Sequence, residues 1–223
     1  MTTTIPRPVA EARGTPPRVG PAERRAGLAL AGAGIAMLLG IITAEALYPA
    51  TYTTHANMIS DLGGTEPPDS VVLQPSAAIF DATMVVAGLA IVLGAWFLSR
   101  ALGRRGVTIA TALLGLGVLG VGLFPGDTGQ VHMWFALLAF TSGGVAAVAS
   151  ARVTPQPLRT VEAALGAAAL AMFLATFVHG GSTPIADLGD GGAERWIAYP
   201  VILWLVLFGG WLLAGGTRSE PRD

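Results

Sequence analysis

Six long runs of apolar residues, separated by short polar stretches, dominate the chain. They cover roughly 27–48, 77–99, 106–124, 131–151, 160–179 and 195–215. Each holds about 19 to 23 residues, enough for a helix rising 1.5 Å per residue to cross about 30 Å of hydrocarbon. The runs lack the period-2 alternation that marks a membrane barrel. Backbone groups in lipid must be hydrogen-bonded within their own segment, so the pattern predicts helices. The predicted fold is an all-α membrane protein, a six-transmembrane-helix bundle occupying residues 26–216.

Before the first run, residues 1–25 are rich in Pro, Arg and Thr, and Pro6, Pro8, Pro16, Pro17 and Pro21 oppose helix. They predict a disordered tail, and residues 217–223 a second, shorter tail. Ala44-Glu45-Ala46 resembles a signal-peptide cleavage site. The apolar run before it is about 17 residues, longer than the usual 7 to 15, so the first run is read as a retained helix.

Composition fits a chain surrounded by lipid: 52% of its 223 residues are hydrophobic and 12% charged. Cysteine is absent, which excludes disulfides, thiol catalysis and Cys-ligated zinc. All 13 basic residues are arginine, and they form no basic surface for nucleic acid.

Their placement sets the expected orientation. Arg7, Arg13, Arg18, Arg24 and Arg25 precede the first run, and Arg100, Arg104 and Arg105 lie between the second and third. Arg152 and Arg159 lie between the fourth and fifth, and Arg218 and Arg222 follow the sixth. Under six crossings all twelve fall on one side, leaving Arg195 alone on the other. The positive-inside rule then places both termini in the cytoplasm and the protein in the plasma membrane. Close helix packing is expected at Gly115, Gly117, Gly120 and Gly122, and along the stripe Ala163, Ala167, Ala171 and Ala175.

The polar residues sort to the opposite, outer side. His55, His132 and His179 fall there, with Asp61, Glu66, Asp69, Asp127, Asp187, Asp190 and Glu194. Glu45 and Asp81 lie about a turn inside their helices near the same face. A carboxylate within a membrane helix is expensive and predicts a partner, for which Arg195 is the cation at hand. Glu194 suits the N-terminal dipole of the sixth helix. Arg195 has no such local role and calls for a carboxylate, a phosphate headgroup or an anionic substrate.

Two outer loops share a phrase, Ile59-Ser60-Asp61-Leu62-Gly63-Gly64 and Ile185-Ala186-Asp187-Leu188-Gly189-Asp190. Both read as turns with Asp as a local acceptor and Gly at a demanding position. Met58, Ile59 and Leu62 are too apolar for a free loop. They predict a lid packed on the bundle, with Asp61 bonded to backbone amides or to Arg195.

The predicted polar cluster is Glu45, Asn57, Ser60, Asp61, Asp81, Asp127, His132, His179, Glu194 and Arg195. A sharper expectation brings Arg195, Asp61, His132, His179 and either Glu45 or Asp81 into one pocket. Ser60, Asp61, Glu194 and Arg195 are the candidates for catalysis. His132, His179 and Asp61 are the candidate ligands of a zinc ion, with Glu194 or Glu45 as base. Helix-end histidines bonded to loop backbone are the plainer alternative.

Further phrases carry a resemblance. They are Tyr48-Pro49, Asn57 to Gly63 as NMISDLG, Phe124-Pro125-Gly126-Asp127, His132, and Gly192-Ala193-Glu194-Arg195 with Trp204. In order and placement the chain resembles, over roughly 27–215, the prokaryotic membrane family called domain of unknown function 998. Thr51 or Thr53 stands where that family usually has a serine. The resemblance implies the fold and no settled activity. More loosely, Ser60, Asp61, His132 and His179 resemble the serine, aspartate and histidines of the membrane hydrolases that include alkaline ceramidases. That likeness implies zinc, but the last-helix histidine motif and a seventh helix are missing.

Three readings follow. One is a membrane protein whose outer cluster binds a lipid headgroup or a membrane partner. The second is a metal-dependent hydrolase acting on a lipid. The third, a small-solute transporter, is disfavoured because ionisable residues avoid the middle of the membrane and no helix is plainly broken by proline.

Overall fold

Apolar side chains on every face are what a helix needs when one side meets other helices and the other meets lipid. The structure, a computed structural model, describes residues 19–179 and 186–218. Among these, six helices are long and apolar enough to cross a membrane. They are α1 (Pro21–Ala46), α2 (Ser76–Leu102), α3 (Arg105–Leu123), α4 (Gln130–Ser150), α5 (Leu158–His179) and α6 (Gly189–Leu213). The shortest, α3, has 19 residues, which span roughly 28 Å. The two faces are plain on α2: Val86, Leu89, Leu93 and Trp96 are exposed, whereas Phe80, Met84, Ala87, Ile91 and Leu98 are buried.

Each helix packs against the next, and α6 returns to α1, closing a ring in chain order. The fifth helix touches mainly α4 and α6 and is the least buried of the six. The inner core is therefore supplied by the other helices, with Trp204, Phe80, Phe208, Leu30 and Ile202 among its fully buried side chains. On α3, Gly115 and Gly122 face α2, while Gly117 and Gly120 face Ala139 and Phe135 of α4. That alternation brings α3 close to both neighbours.

Three elements differ from expectation. The first helix starts at Pro21, inside the stretch predicted as tail, because proline at the first helical position needs no N–H partner and has a suitable φ. The tail residues before 19 lie outside the described residues, as does the chain after 218. The sixth helix starts at Gly189, so Asp190 occupies its first turn and Glu194 and Arg195 its second. Asp190, not Glu194, thus has the dipole position. On α5 the buried face is Glu162, Gly166 and Ala169, while Ala167 and Ala171 of the predicted stripe are exposed. Gly166 meets Gly144 of α4, where a Cβ would come 2.7 Å from the Gly144 carbonyl. Glycine packing, rather than the alanine stripe, fixes which side of α5 turns inward.

The repeated loop phrases adopt the same local form, a 3-10 turn at Ser60–Leu62 and another at Ala186–Leu188. The first packs down as a lid: Ile59 and Leu62 join the hydrophobic core, and Met58 is half-buried. The Asp61 carboxylate accepts the Met58 N–H at 2.9 Å, which closes the turn on itself.

Candidate functional site

The first loop and the start of α6 are joined at the arginine-poor end of the bundle. Gly191 N–H donates to the His55 carbonyl at 3.0 Å. A Cβ at Gly191 would collide with the Asn57 carbonyl, so only glycine allows this approach. It places Arg195, one turn further along α6, beneath the loop.

Arg195 is 8% exposed and its guanidinium is almost fully used. Nη1 donates to the carbonyls of Thr54 at 3.2 Å, Asn57 at 2.9 Å and Gly191 at 2.8 Å. Nη2 donates to Glu45 Oε1 at 2.5 Å and to the Tyr52 hydroxyl at 2.8 Å. The Tyr52 hydroxyl passes its own proton to the Met58 carbonyl at 2.8 Å. Only Nε lacks a partner. One side chain thereby ties α1, the first loop and α6 together. The rigid, multi-donor fork of arginine suits this role; the point charge of lysine does not. Burial pushes the Tyr52 phenol above its ordinary pKa, despite the neighbouring guanidinium.

The other predicted residues divide between two further groups. Asp81 and Asp127 flank the Gly63-Gly64 pair. A Cβ at Gly63 would come 2.5 Å from Asp81 Oδ1, and one at Gly64 3.2 Å from Asp127 Oδ1. Asp81 is therefore not the partner of Arg195; Glu45 is. Asp81 Oδ1 is buried without a hydrogen bond. Asp61 stays within its own turn, and burial raises its pKa above the ordinary carboxylate value, with the Met58 amide acting against the rise.

The third group lines a cavity of about 280 Å³ between the first loop, α4, α5 and α6. Its polar wall is Ser60, Glu66, His132, Thr176, Asp190 and Glu194, and its apolar wall includes Phe140, Phe173, Phe177 and Ile197. Glu194 accepts the Ile59 N–H, and the Ser60 amide also faces its carboxylate. His132 is buried, with Nδ1 at 2.8 Å from the Phe124 carbonyl. A carbonyl only accepts, so Nδ1 carries a proton, and Nε2 is the ring nitrogen not engaged there.

A second chamber of about 60 Å³ shares Ser60, His132, Ala136, Phe140 and Glu194 with the first. Apart from those shared residues, apolar side chains of α1, α2, α3, α4 and α6 line it. A third, of about 40 Å³, is lined by Met37, Val118 and Ala139. The three neighbouring cavities share lining residues, and Ala136 lines both of the outer two.

The predicted metal site is not assembled from what is described. Among the described residues no group of three His, Cys, Asp or Glu side chains is placed to hold a metal. His55 is exposed, and the side chain of His179, at the end of α5, lies outside the described residues. Ser60 Oγ has no hydrogen bond to His132 among the described residues. The candidates for catalysis are thus divided: Ser60 and Glu194 face the cavity, Arg195 forms the clasp, and Asp61 closes its turn.

Residues missed by sequence reasoning include Tyr52, whose hydroxyl bridges Arg195 and the loop. They also include two buried carboxylates at the arginine-rich end. Glu162 is 0% exposed and accepts from Ser150 Oγ at 2.8 Å and Thr154 Oγ1 at 2.7 Å. Trp204 Nε1 donates to Ser150 Oγ at 2.8 Å. Glu23 accepts from the Thr217 backbone at 3.1 Å and hydroxyl at 2.6 Å, joining the start of α1 to the segment after α6. The rule that singled out Glu45 and Asp81, a carboxylate inside an apolar run, also singles out Glu162.

The fold and this end of the bundle define a multi-pass membrane protein with a clasped loop and an internal cavity. Residues 16–211 match the family described as "Protein of unknown function (DUF998)", and the chain belongs to it. No curated protein and no solved structure matches the chain.

Proposed function

We propose that the protein binds an amphiphilic molecule taken from the surrounding bilayer. Its polar group would sit against Ser60, His132 and Glu194, and its apolar body among Phe140, Phe173 and Phe177. The observation that carries this reading is a cavity with polar groups on one part of its wall and aromatic side chains on another, beside two smaller, mostly apolar chambers. That cavity, of about 280 Å³, is close to the lower end of small-molecule sites, roughly 300–1,000 Å³. Phe177, 70% exposed, and Met133, 47% exposed, stand at the mouth, which gives an apolar molecule a lateral way in from lipid. In this reading Arg195 is a clasp that shapes the site, since its Nη donors are already taken.

Filling the shared wall is the test. Ala136→Phe adds a ring to a residue that lines both outer chambers. Native mass spectrometry of protein released from native-lipid discs is expected to find a retained amphiphile on the wild type and at least about tenfold less on the variant. Equal retention by both would contradict the reading.

The arginine distribution supports a plasma-membrane orientation with both termini in the cytoplasm. Reporter fusions after residues 103, 155 and 218 are expected to report cytoplasm, and a fusion after 65 the opposite side. A cytoplasmic signal at 65 would overturn that orientation.

A further inference from the structure

We infer that the amphiphile recognised by this cavity is a cation, an organic ammonium on an apolar body. The inference rests on the amphiphile reading above and adds the charge of the ligand. It follows from what the polar wall has left to offer. Glu66, Asp190 and Glu194 line the cavity; the exposed carboxylates of Glu66 and Asp190 only accept hydrogen bonds, while Glu194 already accepts from the loop. His132 is 5% exposed. Its Nδ1–H is spent on the Phe124 carbonyl, and Nε2 has no partner among the described residues. The ring lines both outer chambers, so Nε2 is the ring nitrogen left for whatever enters.

Thr176 gives its proton back to its own helix, at the carbonyls of Met172 and Phe173. Ser60 holds the one hydroxyl proton still free in the wall. No arginine lines this cavity; the guanidinium next door belongs to Glu45 and the loop carbonyls. An anion would meet carboxylates, with a single free hydroxyl to bind it. An ammonium would meet acceptors throughout. The aromatic wall adds to this, with Phe173 between Phe140 at 6.3 Å and Phe177 at 6.0 Å, centroid to centroid. Aromatic faces attract cations, more strongly where water is excluded.

The same ammonium chemistry is found on a membrane lipid and on a free lipophilic amine. Both sources are probed with full-length protein in a neutral detergent. Titration calorimetry with decylammonium, decyl sulfate and decanol compares three charges on one tail. Decylammonium is expected to bind at least about tenfold more tightly than the other two at low salt. Asp190→Asn and Glu66→Gln change side chains at the mouth without touching the clasp. Each is expected to weaken decylammonium several-fold and leave decanol unchanged. Competition by lysophosphatidylethanolamine assigns the ammonium to a lipid, and its failure to compete assigns it to a free amine. Decyl sulfate or decanol binding as tightly as decylammonium, or decylammonium binding unchanged in both variants, would overturn the inference while leaving the amphiphile reading in place. Failure of all three probes to bind the wild type would overturn that reading itself.

Discussion

Two carboxylates within helices, at opposite ends of the same bundle, are satisfied in different ways. Glu45 meets the guanidinium of Arg195, and that guanidinium goes on to bind three loop carbonyls. Glu162 meets two hydroxyls, with an indole N–H behind one of them. The first arrangement holds a 29-residue connection, residues 47–75 between α1 and α2, against the helix ends. The second staples α4, α5 and α6 where the connection between α4 and α5 is only residues 151–157. A long loop has more conformational freedom to give up, and a charged fork reaching several carbonyls at once opposes that loss more strongly than a pair of hydroxyls. The difference also explains why the cavity lies at the arginine-poor end, where a clasped loop roofs the space between α4, α5 and α6.

The largest expected effect is on the clasp. Arg195→Gln leaves the partly buried Glu45 without its cation and frees the loop, at an expected cost of about 1.5–3 kcal/mol, the range for hydrogen bonds to charged groups. Unfolding in mixed micelles, followed by tryptophan fluorescence, is expected to shift by that amount, whereas Arg152→Gln is expected to shift by less than about 0.5 kcal/mol. Similar shifts for the two would erase the distinction between clasp and surface charge. At the other end, Glu162→Ala leaves Ser150 and Thr154 facing a void, and its expected cost is about 1–3 kcal/mol. Glu162→Gln keeps an acceptor for both hydroxyls and is expected to cost under about 1 kcal/mol. If Glu162→Gln were as damaging as Glu162→Ala, the site would need the acid itself rather than an acceptor, and the contrast with Glu45 would have to be redrawn.

Much of this was legible in the sequence. The six apolar runs and the lone Arg195 identified the bundle and its distinctive end, because hydropathy and charge placement act one residue at a time. The lid was legible too, since Met58, Ile59 and Leu62 have no reason to stay in a solvated loop. The choice of Glu45 over Asp81 was not, because it depends on how far α1 and α2 rotate about their axes. Neither was the true packing face of α5: Gly166 and Gly144 meet across two helices, and only their joint position shows that Ala167 and Ala171 face outward. The start of α6 was placed too late because Gly189, Gly191 and Gly192 look like loop, yet Gly191 is small for the sake of the Asn57 carbonyl. The engagement of His132 Nδ1 rests on a carbonyl eight residues earlier, which no spacing rule supplies.

A cavity at the arginine-poor end that takes cations in preference to anions is open to a direct chemical probe. Because the chain has no cysteine, Ala136→Cys would be its sole thiol, placed in the wall that the two outer chambers share. Its rate of modification by a small ammonium-bearing thiosulfonate is expected to exceed that by the sulfonate-bearing analogue by about tenfold or more, after correction for their rates with a free thiol. Equal rates, a faster sulfonate, or no reaction with either reagent would contradict the account.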